Sequence, residues 1–235
     1  MKPKTMQVYI GWDSREDLPF QVARESIVKR TPEPIRIMPL RLNHLPMLTR
    51  PIEIRDGKLW CTISQAHMST EFAISRFCVP FLQEEGWALF LDCDIICWSD
   101  IRELFHLAND KYAVMVVKHQ QESGPATKMD GQSQLYYNRK NWSSVVLWNC
   151  DHPANKGLTE RRLNNWTGRR LHAFKWLEDA EIGELPQIWN WLINVTPGVP
   201  KQVGIWHYTL GGPWLPEWKT QPYDEYWEQE AGVRA

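Results

Sequence analysis

WALFLDCDIICW, residues 87–98, is the stretch on which the reading of this chain turns. Ala88, Leu89, Phe90 and Leu91 form an unbroken apolar run, the pattern of a strand buried on both faces of a central sheet. Charge then interrupts it at Asp92 and Asp94. Side chains on an extended chain alternate with a period of two, so both carboxylates face one side. Two hard oxygen ligands at the end of a buried strand suit Mg²⁺ or Mn²⁺ better than zinc, since the nearest Cys and His residues do not fall at zinc-ligand spacings. A lone D-x-D also arises where one aspartate ends a strand and the other caps a turn. Context favours ligands: Ser99 or Asp100 can cap a helix, Glu103 stands three after Asp100 as in a capping box, and Ile101, Leu104, Phe105 and Ala108 recur at helical spacing. The pair therefore falls at the carboxyl end of a strand, where open α/β sheets bind their ligands.

Upstream, Val8, Tyr9 and Ile10 read as a first strand ended by Gly11, followed by Trp12-Asp13-Ser14 and a helix bearing Leu18, Val22, Ile27 and Val28. No G-x-G-x-x-G accompanies that turn, so a dinucleotide fingerprint is absent. Residues 35–42 read as a second strand and residues 42–58 as a loop. Residues 70–85 read as one helix with Ile74, Phe77, Cys78, Phe81 and Leu82 on one face, kinked at Pro80 and stopped by Gly86. Downstream, residues 112–117 and 144–148 read as buried strands, the latter ending in Asn149. The polar, irregular residues 118–141 read as a substrate-facing loop. Strands alternating with helices predict an α/β fold with a mostly parallel central sheet flanked by helices.

At 235 residues the chain is most simply one domain with a sizeable core. Its net charge of −1 gives no global case for nucleic acid. Arg139-Lys140, Arg161-Arg162 and Arg169-Arg170 are local exceptions, read as solvated surface, with anionic substrate recognition as the alternative. No apolar run reaches the length of a membrane span, so the expectation is a cytoplasmic protein with no transmembrane segment. Five cysteines without zinc-like spacing agree with a reducing compartment and buried thiols. The Asn141, Asn165 and Asn194 sequons then carry no glycosylation meaning. Fourteen tryptophans, as many as Phe and Tyr together, hint at contact with sugar or base rings.

Five pieces in order carry a resemblance: YIGWDSRE (9–16), TEFAISRF (70–77), FLDCDI (90–95), WSSVVLWNC (142–150) and HYTLGGPW (207–214). Together they resemble a GT-A glycosyltransferase, close to the glycogenin and bacterial galactosyltransferase-like family, in its compact bacterial or phage form. The resemblance implies a Rossmann-like single domain over 1–235, with a nucleotide-sugar part at about 1–117 and an acceptor-facing part at about 118–235. It implies that His207 joins Asp92 and Asp94 around Mn²⁺ (or Mg²⁺), an imidazole favouring Mn²⁺. Gly11, Trp12 and Asp13 would line the nucleotide pocket, Trp12 stacking near the base and Asp13 accepting from base or ribose. Asp92 would also touch the donor, and Arg76 would face it. The Asn149 amide would hold a sugar hydroxyl. Each has a plainer reading: a capping Asp13, a polar-face Arg76, a turn-forming Asn149, a core His207.

The family's diphosphate-binding Lys is absent; Gly211 and Gly212 stand there, and their backbone amides are the substitute. The family's aspartate-glutamine-aspartate segment is absent too, and Asp179 or Glu181 would face the reacting carbon. The donor implied is a nucleotide-sugar, UDP-linked by preference. The acceptor is a glycan, a small molecule or modified DNA. Retention is implied by the family; inversion would need a base such as Asp130, Asp151, Asp179 or Glu181. A D-x-D phosphatase, a non-catalytic sugar or nucleotide-sugar binding module, and a phage-type transferase acting on nucleic acid are the rival classes.

Overall fold

The computed structural model describes residues 5–32, 34–119 and 139–232. Strand β1 (Met6–Gly11), helix α1 (Asp17–Arg30) and strand β2 (Ile35–Leu40) open the chain. Three short strands follow as an antiparallel meander, β3 (Ile52–Arg55), β4 (Lys58–Cys61) and β5 (Ala66–His67). Next come α2 (Val79–Leu82), β6 (Trp87–Leu91), β7 (Ile95–Cys97), α3 (Ile101–Phe105) and β8 (Val114–Val116). The later part holds β9 (Val145–Asn149), α4 (Glu160–Asn165), α5 (Gly168–His172), β10 (Ile182–Glu184), β11 (Trp191–Leu192), β12 (Ile205–His207) and α6 (Asp224–Ala231).

The central sheet runs β10-β8-β9-β6-β1-β2. Parallel pairing of β1 with β2 and β6, and of β10 with β8, combined with antiparallel pairing of β9 on both its sides, leaves five strands in one direction and β9 reversed. This is a single α/β domain of the GT-A, Rossmann-like kind. Strand β6 lies inside the sheet, and Ala88 to Leu91 are wholly buried, as the unbroken apolar run predicts. A second sheet, β11-β12-β7, crosses the end of β6 and places His207 opposite Ile95. All five cysteines are buried and none is in a disulfide. No helix among the described residues is long and apolar enough to cross a membrane.

Several local expectations are corrected. The expected loop over 42–58 contains a β-hairpin, because Asp56 and Gly57 both take positive φ, 52° and 73°, between paired Arg55 and Lys58. That is the two-residue turn that Asp-Gly favours. The long helix over 70–85 is broken: a 3-10 turn at Ser75–Cys78 runs into α2. Pro80 has no N–H and its ring would strike the carbonyl four residues back, so it is tolerated only in the first turn of a new helix. On α1, Val22 and Ile27 are buried while Leu18 and Val28 face outward. Arg139 is no solvated cation: its guanidinium donates to the carbonyls of Ala173 and Phe174 and pairs with Asp179.

Gly11, at the end of β1, shows why a side chain is excluded there. An added Cβ would lie 2.3 Å from the Phe72 ring. Gly11→Ala is therefore expected to cost about 1–3 kcal/mol through overpacking, seen as a lower urea midpoint at unchanged slope.

Candidate metal centre

Strand β6 ends at Leu91, and the Asp92 amide continues its ladder by donating to the Ser144 carbonyl at 2.9 Å. The chain bends, buries Cys93 completely, and delivers Asp94 beside β7. On the other side the Tyr208 amide donates to the Asp94 carbonyl at 2.9 Å. These backbone ties bring one ligand atom each from Asp92, Asp94 and His207 within 4.8 Å of one another. His207 is buried; the two aspartates are partly exposed. Burial, reinforced by the carboxylates of Glu16 and Asp94, pushes the Cys93 thiol well above its ordinary range, so it stays a neutral core group.

The donor set fits a divalent cation. Asn190 is wholly buried, and its Oδ1 lies 2.8 Å from His207 Nδ1. An amide oxygen only accepts, so Nδ1 carries a proton and Nε2 is the ring nitrogen turned toward the carboxylates. Asn190 is held in turn, its Nδ2 donating to Ser144 Oγ at 2.9 Å, and that hydroxyl donates to the Asn141 carbonyl. Nε2 then faces Asp94 Oδ1 at 3.1 Å. Fixing a ligand imidazole through its other nitrogen is the usual outer layer of a metal site.

Asp92, Asp94 and Ser144 line a cavity of about 140 Å³. Arg76 reaches it from the turn before α2, pairing with Asp92 at 2.8 Å and donating to the Ser143 carbonyl. Glu16 lines it as well, and burial, with the Asp94 and Asp13 carboxylates adding to it, pushes the Glu16 carboxyl up to about 8. His172, at the end of α5, meets Ser143 Oγ at 2.7 Å. A larger cavity of about 910 Å³ runs beside Arg36, Met38, Leu82 and Trp87 and touches none of the three candidate ligands. Coulombic argument and donor chemistry put the site in the smaller one.

Other expected site residues fall elsewhere. Asp13 is wholly buried. Burial alone would raise its carboxyl, but donors from Arg15 and the Glu71 amide outweigh that and hold it below the usual range. It pins the turn after β1, and those four hydrogen bonds occupy the oxygens expected to accept from a nucleotide. Trp12 donates to Asp17 and carries the Arg41 guanidinium 4.1 Å above its ring, so one face is already stacked. Neither they nor Gly11 line the cavity; Gly211 does. The Gly211 amide, expected to meet a diphosphate, donates to Tyr208 instead, and the space beside Gly212 is filled by Trp214.

Register places Asn149 away from the cluster. Because β9 is antiparallel, Val145 pairs with Leu91 and Asn149 with Trp87, so Asn149 stands at the wrong end of the sheet, roughly 15 Å of strand from Asp92. There it donates to the Tyr112 carbonyl. Asp179 and Glu181 are placed away from it likewise. They precede β10, whose Ile182 is level with Val114 and through it with Trp148 and Ala88. Asp179 is exposed and paired with Arg139; the Glu181 carboxylate caps its own turn through the Glu178 amide. Asp130 lies outside the described residues. Near the cluster instead are Asn141, Ser143 and Ser144, just before β9, together with Asn190.

The fold recurs in solved glycosyltransferases. The WbbM bifunctional glycosyltransferase aligns with a TM-score of 0.64 at 15% identity over 97% of this chain, which spans 50% of that chain. The galactosyltransferase LgtC, solved with donor and acceptor sugar analogues, aligns with a TM-score of 0.61 at 13% identity over 97% of this chain and 95% of its own. At such identities the likeness establishes the GT-A fold. No family model matches the chain. A much nearer relative is Protein CDI of Arabidopsis thaliana, 44% identical over 232 residues, covering 97% of this chain and 86% of that protein. With that identity sustained over nearly its whole length, the chain belongs to the family of the Arabidopsis thaliana Protein CDI.

Proposed function

We propose that the chain is a metal-dependent glycosyltransferase that moves a sugar from a nucleotide-sugar, UDP-linked by preference, to an acceptor hydroxyl with retention. The observation that carries this reading is the Asp92, Asp94 and His207 cluster at the carboxyl end of β6 in a GT-A fold. These three residues would hold Mn²⁺ or Mg²⁺, which when bound supplies Lewis-acid stabilisation to the charge that builds on a diphosphate leaving group. Arg76, already on Asp92, adds a fixed positive charge beside the same oxygens. Asn190 and Ser144 hold the His207 ring, and His172 and Ser143 offer polar atoms toward the sugar side.

The carboxylates lining the cavity are Glu16, Asp92 and Asp94, whereas Asp151, Asp179 and Glu181 are not among its walls. A cavity whose acidic groups are two proposed metal ligands and the buried Glu16 favours retention over a route needing a separate base. Its walls come from both proposed parts, Glu16 to Asp94 before residue 117 and Asn141 to Gly211 after it.

A thermal-shift screen of UDP-, GDP-, ADP- and CDP-sugars with and without Mn²⁺ tests the reading. A UDP-sugar at a hundredfold excess over its Kd adds about 2.7 kcal/mol, which for a chain of this size raises Tm by about 5–10 °C. The rise is expected only with Mn²⁺ or Mg²⁺ present. No shift with any donor would overturn it.

A further inference from the structure

One face of the central sheet is unevenly covered. Side chains alternate along β1 and β2, and the parallel register sets Gln7 beside Arg36 and Tyr9 beside Met38 on that face. Val8 and Ile10, on the opposite face, are wholly buried. A parallel sheet ordinarily buries both faces. Here Arg36 is exposed and Met38 is 36% exposed, on the edge strand β2. Leu82 of α2, 38% exposed, lines the same cavity as Met38. Six large apolar side chains among the described residues are exposed, so two of them meeting in one cavity is a concentration of uncovered apolar surface.

That cavity, of about 910 Å³, lies in the size range of small-molecule sites, about 300–1,000 Å³. Tyr9, Trp87, Phe105 and Ala108 continue its apolar lining. Two guanidinium groups, Arg36 and Arg41, line it as well, against one carboxylate, Glu85. Arg41 is held over the Trp12 ring, whereas the Arg36 side chain makes no salt bridge or hydrogen bond among the described residues. The Tyr9 hydroxyl has no hydrogen-bond partner among them either. Arg36 lies close enough for its charge to act on that phenol: burial and the Cys150 thiol push the Tyr9 hydroxyl up, and Arg36 opposes them. A guanidinium fork and a phenol O–H are donors suited to the two oxygens of a carboxylate. A chain running from such a head over Met38 and Leu82 would take their exposed surface out of water. A nucleotide or sugar phosphate would match the cations and leave those apolar walls wet.

We propose that this cavity binds an aliphatic carboxylate, its head at Arg36 and Tyr9 and its chain along Met38 and Leu82. The site shares no lining residue with the candidate metal centre, so it stands or falls apart from the transferase reading.

The test titrates decanoate into the full chain at neutral pH by calorimetry, with decanol as the control lacking the charge and acetate as the control lacking the chain. Decanoate is expected to bind, decanol about tenfold or more weakly by comparison, and acetate not at all. Arg36→Gln should weaken decanoate about tenfold or more and leave decanol unchanged. Met38→Glu should weaken both, and Leu82→Gln serves if that variant does not fold. The Mn²⁺-dependent donor shift in Tm should be the same in Arg36→Gln as in the parent. No binding of decanoate, equal binding by Arg36→Gln, or decanol binding as tightly as decanoate overturns the proposal. Sedimentation of the chain alone, and with phosphatidylcholine vesicles doped with phosphatidylserine, is run in parallel. Vesicle binding or a dimer that Met38→Glu abolishes, without decanoate binding, also overturns it and gives the face to a membrane or to a second copy.

Discussion

Asp94→Asn is expected to yield a folded protein whose sugar transfer falls by at least about 10²–10³-fold, the scale on which losing one transition-state stabilising group is felt. The substitution keeps the side chain's volume and removes its charge. The fold's own tie at this position uses the backbone: the Asp94 carbonyl accepts from the Tyr208 amide, and that contact survives. The carboxylate, in contrast, faces His207 Nε2 at 3.1 Å and lies in the group of three ligand atoms. An amide oxygen there supplies a weaker, uncharged ligand, so cation affinity falls with activity, and excess Mn²⁺ restores only part of the rate. Circular dichroism and Tm should match the wild type, while turnover across a Mn²⁺ titration should not. Wild-type turnover by the variant, or a parent activity indifferent to EDTA, removes the metal assignment.

The parts of this site that the sequence made legible are those whose evidence is local. Ala88 to Leu91 announce a doubly buried strand through an unbroken apolar run, and Asp92 and Asp94 follow within it. The hairpin at Asp56-Gly57 was equally local, since the dipeptide is a turn signal, yet the prolines around it suggested a loop. His207 is different in kind. It reaches Asp94 only because β12 pairs antiparallel with β7, a register that no spacing in the chain reveals; resemblance supplied it. Asn149 lies away from the cluster for the same reason in reverse. The apolar run before it shows a strand but not its direction, and an antiparallel β9 exchanges the ends, sending Asn149 away and bringing Asn141, Ser143 and Ser144 in. His172 carried no motif, and Glu16, though it ends YIGWDSRE, and Asn190 carried no signal of a role at the site. Their roles come from burial and from the neighbours that burial forces on them.

Asn190→Leu tests whether those neighbours matter to the metal. The change is close in volume and removes both ends of the link between Ser144 and His207. It strands the His207 Nδ1 proton and takes a donor from Ser144 Oγ, so stability is expected to fall by about 1–3 kcal/mol. The larger effect is on the cation. Without the amide oxygen to fix the tautomer, Nδ1 and Nε2 compete for the proton and the ring can turn, which lowers Mn²⁺ affinity by about 10–100-fold. The expected signature is a split: half-saturating Mn²⁺ rises by that factor while kcat at saturating Mn²⁺ stays within a few-fold, because Asp92, Asp94 and His207 all remain. Ser144→Ala removes only the outer member and should shift Mn²⁺ affinity in the same direction by less. A loss of stability with unchanged Mn²⁺ affinity would mean that Asn190 packs against His207 without orienting it, and the imidazole would then owe its position to β12 alone.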